Sequence, residues 1–257
     1  MNRIEKLFEK KQNQILSVYF TAGYPQLDDT VAIIRELETQ GADLIEIGIP
    51  FSDPMADGAV IQKSGTAALN NGMSLNKLFA QLANIRANIN LPLIMMGYLN
   101  PVIQFGAERF CRTCQDVGVD GIIIPDLPFK DYMANFKALG EQFGLKFIML
   151  ITPETSDERI RLIDENTSGF IYMVSTASTT GAKDSFDTKT LEYFRRINAM
   201  NLRNFRLIGF GISNKTTLDA AFDNANGAII GSEYIRLLGT EPSIAEATAK
   251  LMKKLGN

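Results

Sequence analysis

Apolar positions along this chain gather into eight short runs, at 15–20, 43–48, 92–98, 121–125, 146–152, 169–175, 205–211 and 227–231. Within several of them no polar residue intervenes, as in Ile122-Ile123-Ile124 and Phe147-Ile148-Met149-Leu150-Ile151. Continuous runs mark parallel strands covered on both faces, whereas strict alternation would mark a sheet with one wet face. Amphipathic segments of helical length lie between the runs, at 29–40, 75–88, 130–143, 157–166, 188–200 and 215–223, the last preceded by Ser213 and Asn214 as candidate caps. Further helices are expected at 5–12 and 242–255. Eight strand-helix units in a chain of 257 residues predict an α/β fold, a (β/α)8 TIM barrel with extra N-terminal and C-terminal helices, with residues 1–257 forming one barrel domain. An open doubly wound sheet is the alternative that so many regular units disfavour.

The second run breaks the apolar pattern. A strand over 43–48 puts Leu44, Glu46 and Gly48 on one face and Ile45 and Ile47 on the other, so Glu46 points into an apolar interior. Burial disfavours the charged form of a carboxyl, and a Glu so placed is expected to exchange protons near neutrality. Asp57 follows in the loop after that strand, just before a helix-like stretch, where water and backbone amides are expected to keep it ionised. Two carboxylates in two environments suit two roles. The plainer alternative makes Glu46 half of a buried ion pair and Asp57 a helix N-cap. In a barrel both stand at the C-terminal ends of strands, where active sites form.

Composition narrows the chemistry. The formal net charge is −3 with scattered basic residues, so neither nucleic acid nor an anionic membrane is an expected partner. No apolar run approaches the ~20 residues of a membrane span, and the charged opening Met1-Asn2-Arg3-Ile4-Glu5-Lys6-Leu7-Phe8 does not read as a signal peptide, so a cytoplasmic protein is expected. Cys111 and Cys114 form a C-x-x-C, but the chain has no histidine and no second cysteine pair, and they fall in a helical stretch near 107–117. Neither zinc nor a thioredoxin-like thiolate fits that placement, and both cysteines are read as structural.

Glycine-bearing loops follow the last three strands: Ser178-Thr179-Thr180-Gly181, Gly209-Phe210-Gly211-Ile212-Ser213 and Gly231-Ser232. Barrel phosphate sites are built at these strand ends, where glycine lets backbone amides close on phosphate oxygens and a short helix from Ser232 would aim its positive end at them. Carboxylates opposite a phosphate cradle fit acid–base chemistry on a phosphorylated small molecule. A Schiff-base aldolase would need a lysine at a strand's C-terminal end, yet Lys146 opens its strand and Lys183 lies in a loop. A metal-dependent aldolase would want histidine ligands.

Four segments together, Phe20-Thr21-Ala22-Gly23-Tyr24-Pro25, Glu46 to Gly58, Pro125-Asp126-Leu127-Pro128 and Gly209-Phe210-Gly211-Ile212-Ser213, make the chain resemble the α subunit of tryptophan synthase over nearly its whole length. The pattern Glu-x-Gly-x-Pro-Phe-Ser-Asp-Pro-x-Ala-Asp-Gly is long enough to be specific. The resemblance implies retro-aldol cleavage of indole-3-glycerol phosphate to indole and D-glyceraldehyde 3-phosphate, without a cofactor in this subunit. It implies Glu46 as proton shuttle and Asp57 as acceptor for the indole N–H. Tyr19 and Met96 would enclose the indole ring, Tyr172 would bind near it, and Thr180 would steady Asp57. Gly181, Gly209, Gly211, Gly231 and Ser232 would hold the phosphate.

The resemblance further implies a partner β subunit carrying pyridoxal phosphate in an α2β2 heterotetramer, with Asn100, Pro101, Asp126, Leu127 and Pro128 in loops on the partner-facing side and an exposed apolar patch there. Better-known relatives carry arginine at the place of Thr176 and glycine at that of Ser178. Another reaction at the same barrel, such as indoleglycerol phosphate synthesis or sugar-phosphate epimerisation, and a phospholigand-binding regulatory subunit are the competing readings.

Overall fold

Parallel neighbours cannot be joined by tight turns, so each apolar run must be followed by a crossover before the next strand pairs. The structure, a computed structural model, describes residues 1–175 and 185–256. Nine strands are present among them: β1 (Ile15–Thr21), β2 (Leu44–Gly48), β3 (Leu93–Met96), β4 (Gly121–Ile123), β5 (Lys146–Ile148), β6 (Leu150–Ile151), β7 (Phe170–Val174), β8 (Phe205–Gly209) and β9 (Gly227–Ile230). All pair in parallel, in the order β5-β4-β3-β2-β1-β9-β8-β7-β6.

The ninth strand is a division of the expected run 146–152. Its first half, β5, pairs with β4, and its second half, β6, pairs with β7, with Met149 between them accepting the Tyr172 N–H at 3.0 Å. One stretch of chain thus occupies both ends of the strand order, and the sheet closes into the expected TIM barrel of eight positions. Closure with tilted strands requires such a stagger of register. The run at 205–211 stops pairing at Gly209 because Phe210 and Gly211 take positive φ (69° and 74°), which no strand accommodates.

Two apolar layers result. Ile15, Leu44, Ile94, Ile123, Ile148, Phe170, Leu207 and Ile229 point inward and fill the ring, while the alternate positions, such as Val18, Ile45 and Ile47, pack outward against the helices. Cys111 and Cys114, in helix Ala107–Asp116, belong to the outer layer; burial pushes the Cys111 thiol up to about 12 and that of Cys114 up as well, so they are inert packing groups.

Helix Arg3–Lys10, opened by an Asn2 capping box, seals the N-terminal end of the ring by inserting Ile4 and Phe8 among the inward residues. Phe8 stacks on Phe205 at 4.1 Å. Asp120, only 3 % exposed, ties this end together: its carboxylate accepts from Arg3 (3.1 Å), Arg86 (2.6 Å) and the Leu93 N–H (3.0 Å). The expected helix at 75–88 is shorter, Leu75–Leu82 followed by a 3-10 turn Ile85–Ala87, and that at 130–143 contains a wide turn over Tyr132–Phe136. At the other terminus Ser243 caps helix Ile244–Leu255.

One helix escaped the sequence pattern. Leu99–Phe105 contains Pro101, and Asn100 and Pro101 therefore lie in its first turn, not in a loop. First-turn N–H groups have no intrahelical acceptor, so proline loses nothing there. Asp126 reaches across from the loop after β4 to accept the Leu99 N–H at 2.8 Å, serving as a cap from outside the helix.

Because both cations would remain beside a vacated, buried site, Asp120→Ala should destabilise the fold by about 3–5 kcal/mol. Urea unfolding should show a lower midpoint with an unchanged slope; a midpoint within error of the parent would show that the cluster carries no stability.

Candidate active site

The parity of β2 decides what Glu46 meets. Leu44, one inward position earlier, packs in the hydrocarbon filling, and Gly48, one later, is at the rim. Glu46 between them is completely buried. Its neighbour across the β1 pairing is Tyr19, while Ser17 on the same strand sits opposite Leu44 and reaches up to Glu46. The Ser17 hydroxyl donates to Oε1 at 2.9 Å, and Oε2 meets no hydrogen-bond partner among the described residues. Burial raises the Glu46 carboxyl to about 8, against which the Ser17 hydrogen bond works, as the expectation of proton exchange near neutrality required. No cation pairs with it among the described residues, where its one partner is the Ser17 hydroxyl.

For Asp57 the plainer alternative does not hold, and its surroundings are less open to water than expected. The residue preceding helix Ala59–Asn70 is Gly58, without a side-chain cap bond, so Asp57 is not the N-cap. It is partly buried as well, and burial lifts its carboxyl to about 6, partly offset by a hydrogen bond from the Tyr98 hydroxyl. The same hydroxyl accepts the Ala56 N–H at 2.9 Å, and the Tyr98 ring stacks on Phe51 at 5.4 Å. Tyr98 thus fastens the loop that carries Asp57.

Tyr19 and Tyr172 complete the mouth. Both are buried, and their hydroxyls are held neutral by burial and by the nearby charges of Glu46 and Asp57. Each lies over a glycine on the next strand: a Cβ on Gly48 would collide with the Tyr19 hydroxyl, and one on Gly209 with that of Tyr172. Met96, opposite Gly48 in the β2–β3 pairing, lines the same end half-buried. The Phe210 ring meets Tyr172 edge-on at 6.2 Å, and Ser175 donates to the Phe210 carbonyl at 2.7 Å, holding the turn in which Gly209 and Gly211 lie.

Gly231 precedes helix Ser232–Thr240 and packs against the Tyr19 ring, so the start of that helix adjoins Tyr19. Its anchor is Glu233, buried and paired with Arg236 and with Lys254 of the C-terminal helix. Thr180 and Gly181, with Thr176 and Ser178, lie outside the described residues.

The family model for the tryptophan synthase alpha chain matches residues 5–256. The chain belongs to the tryptophan synthase alpha chain family. It is 59% identical over 255 residues to the tryptophan synthase alpha chain of Parabacteroides distasonis, covering 99% of both chains. Among solved structures it superposes on tryptophan synthase subunit alpha from Legionella pneumophila with a TM-score of 0.88 at 29% identity, covering 100% of this chain and 99% of that one. The tryptophan synthase A-subunit of the hyperthermophile Pyrococcus furiosus gives 0.85 at 34%, covering 95% and 97%. The α reaction of this family is the cleavage of indole-3-glycerol phosphate to indole, a lyase step of tryptophan biosynthesis, and its members work with a β subunit.

In this family member the residues expected to face the partner divide. Asn100, Asp126 and Pro128 are exposed and Pro101 is half-buried, but Leu127 is buried in the outer core and cannot present its side chain outward. Asn100 and Asp126, with Phe51, Asp53, Met55 and Tyr98, line a cleft of about 470 Å3 beside the loop that carries Asp57. Two large apolar side chains are exposed in these segments: Met55, in the cleft lining, is 94% exposed, and Ile103, one turn beyond Asn100, 54%.

Ser17, Tyr98 and Phe210 were not singled out by sequence reasoning. A hydroxyl at an inward position of an apolar run was the available signal for Ser17, two residues before Tyr19. Tyr98 and Phe210 look like ordinary strand-end aromatics until the loops are folded.

Glu46 also makes stability depend on pH. Its folded-state value near 8 exceeds the ordinary 4.5, so the native state holds a proton that the unfolded chain has lost between those values, and stability falls as pH rises through that window. Glu46→Gln should therefore gain on the parent between pH ~5 and ~8, by an amount on the order of a few kcal/mol, and level off above. Thermal melts of both proteins across that range would check it; parallel curves would contradict it.

Proposed function

We propose that Glu46 is the proton shuttle of the cleavage of indole-3-glycerol phosphate to indole and D-glyceraldehyde 3-phosphate. The observation that carries this reading is a fully buried carboxyl with one oxygen hydrogen-bonded, the other unpartnered among the described residues, and a proton affinity that populates both forms near neutrality. A proton passes from the neutral Glu46 carboxyl to indole C3, and the ring nitrogen takes the positive charge. The hydroxyl on the carbon attached to C3 then gives its proton to the Glu46 carboxylate while the carbon–carbon bond breaks. That electron pair returns to the indole ring and the hydroxyl carbon becomes the aldehyde. The carboxyl ends as it began, so one group suffices.

Asp57 serves as the acceptor for the indole N–H. That contact strengthens as positive charge develops on the ring, which is transition-state stabilisation rather than uniform binding. Tyr19, Met96 and Tyr172 enclose the indole and exclude water. The turn at Gly209 and Gly211, the helix start at Gly231 and Ser232, and Gly181 hold the phosphate. Thr180 steadies Asp57. One barrel domain over 1–257 carries the whole site.

A β subunit docks over the cleft beside the Asp57 loop, at Asn100, Pro101, Asp126 and Pro128, covering Met55 and Ile103. The assembly is an α2β2 heterotetramer in the cytoplasm; pyridoxal phosphate belongs to the β subunit, and this chain uses no cofactor of its own. Among the described residues no helix is long and apolar enough to cross a membrane.

Indole release by the purified chain, with and without the β subunit of the same organism, tests the reading. Glu46→Gln should abolish turnover and leave ligand affinity within about twofold, because the amide keeps the shape and loses the titrating proton. Equal loss of binding would make the carboxylate structural. The parent should show a bell-shaped dependence on pH, with an acid limb near 6 as Asp57 ionises and an alkaline limb near 8 as Glu46 loses its proton. Native mass spectrometry should find a complex with that β subunit, lost when Met55 and Ile103 are both replaced by Asp; a complex unaffected by those changes would move the docking face elsewhere.

A further inference from the structure

We propose that Ser17 is a positioning residue for this reaction, its hydroxyl fixing Oε1 of Glu46 so that Oε2 is the oxygen that exchanges protons with the substrate. The inference rests on Glu46 being the proton shuttle and concerns a residue one layer beneath it. Ser17 is fully buried on β1, at an inward position flanked across the strand pairings by Leu44 and Ile229 of the ring filling. A valine or isoleucine would suit that layer, and a hydroxyl buried there without a partner would cost about 1–3 kcal/mol. Its one hydrogen bond among the described residues is the 2.9 Å contact to Glu46 Oε1, so the carboxyl accounts for the presence of the hydroxyl.

The terminal torsion of a glutamate is broad and roughly two-fold, so a carboxyl held by packing alone can present either oxygen. Anchoring Oε1 removes that freedom. Oε2 remains buried and unpartnered among the described residues, the condition expected of an oxygen whose partner is the substrate. The parallel pairing supplies the geometry: Ser17 lies opposite Leu44 and Tyr19 opposite Glu46, so the serine approaches from the closed side of the barrel and leaves the mouth to the ligand. The same hydrogen bond favours the ionised form and works against the effect of burial, keeping the group close enough to neutrality to run in both directions.

Among the described residues the charged and polar groups facing Glu46 are few. Besides Ser17 on β1, the Tyr19 and Tyr172 hydroxyls feel its charge from β1 and β7, and Asp57 shares both tyrosines with it. Ser17 is the only one of these that donates to it.

The test compares Ser17→Ala, Ser17→Thr and Glu46→Gln in the full-length chain with its β subunit, after circular dichroism confirms folding. Ser17→Ala should lower kcat roughly ten- to hundredfold with KM for indole-3-glycerol phosphate within about twofold. It should also move the alkaline limb up by about one pH unit and leave the acid limb in place. Ser17→Thr, which keeps the hydroxyl, should restore both. The infrared carbonyl band of the protonated carboxyl, identified by its loss in Glu46→Gln, should titrate with the same upward displacement in Ser17→Ala. An inactive Glu46→Gln beside a Ser17→Ala variant with the parental kcat and limb would overturn the role of Ser17 alone. So would a threonine variant that follows alanine in both readouts. Persistent turnover in Glu46→Gln would instead remove Glu46 from the chemistry and the Ser17 role with it.

Discussion

A closed ring of parallel strands has no wet face, and that constraint governs the rest of this molecule. Every inward side chain must be packed by others, so the ring fills with Ile, Leu and Phe, and any polar group placed inside needs a partner supplied by the same strands. Ser17 and Glu46 are such a pair, set where the filling gives way to the mouth. At the opposite end the problem is closure, which the N-terminal helix meets with Ile4 and Phe8, held down by the ionic cluster around Asp120. The ends of the barrel thus divide the work: charge at the bottom is neutralised and structural, and charge at the top is left partly uncompensated and chemical.

The two top carboxylates show how environment separates identical functional groups. Glu46 sits in hydrocarbon with a single hydroxyl donor, whereas Asp57 sits in a loop with partial access to water and a donor from Tyr98. Each hydroxyl comes from a neighbouring strand or its end, so β1 and β3 tune groups that β2 and its loop carry. Tyr98 also joins the loop to the outer cleft, since it stacks on Phe51 and binds Ala56 while contacting Asp57. A protein covering that cleft would press on the same loop that presents Asp57, which is a direct physical route between the outer face and the site.

Much of this was legible in the chain. Continuous apolar runs announced parallel strands because both faces are buried, and a carboxylate at an inward parity announced the site because strand geometry leaves it no other direction. Features that depend on partners distant in sequence were not legible. The helix Leu99–Phe105 looked like loop because of Pro101, and its cap is Asp126 from another loop. Leu127 looked like a surface residue beside Asp126 and Pro128 and is buried, because a single turn places its three members on different sides.

Local pattern was enough to establish the strand count around the ring, the helical crossovers and the inward placement of Glu46, since each follows from spacing along one segment of chain, while the family came from the resemblance of four segments taken together. Tertiary contact was needed to split the fifth strand between two partners, to raise Asp57 by burial, to pair Ser17 with Glu46 and to assemble the Tyr98 loop. Those features arise from register and closure between segments, and a hydrogen bond or a desolvated charge is defined by what stands within a few ångströms in space, whatever its distance along the chain.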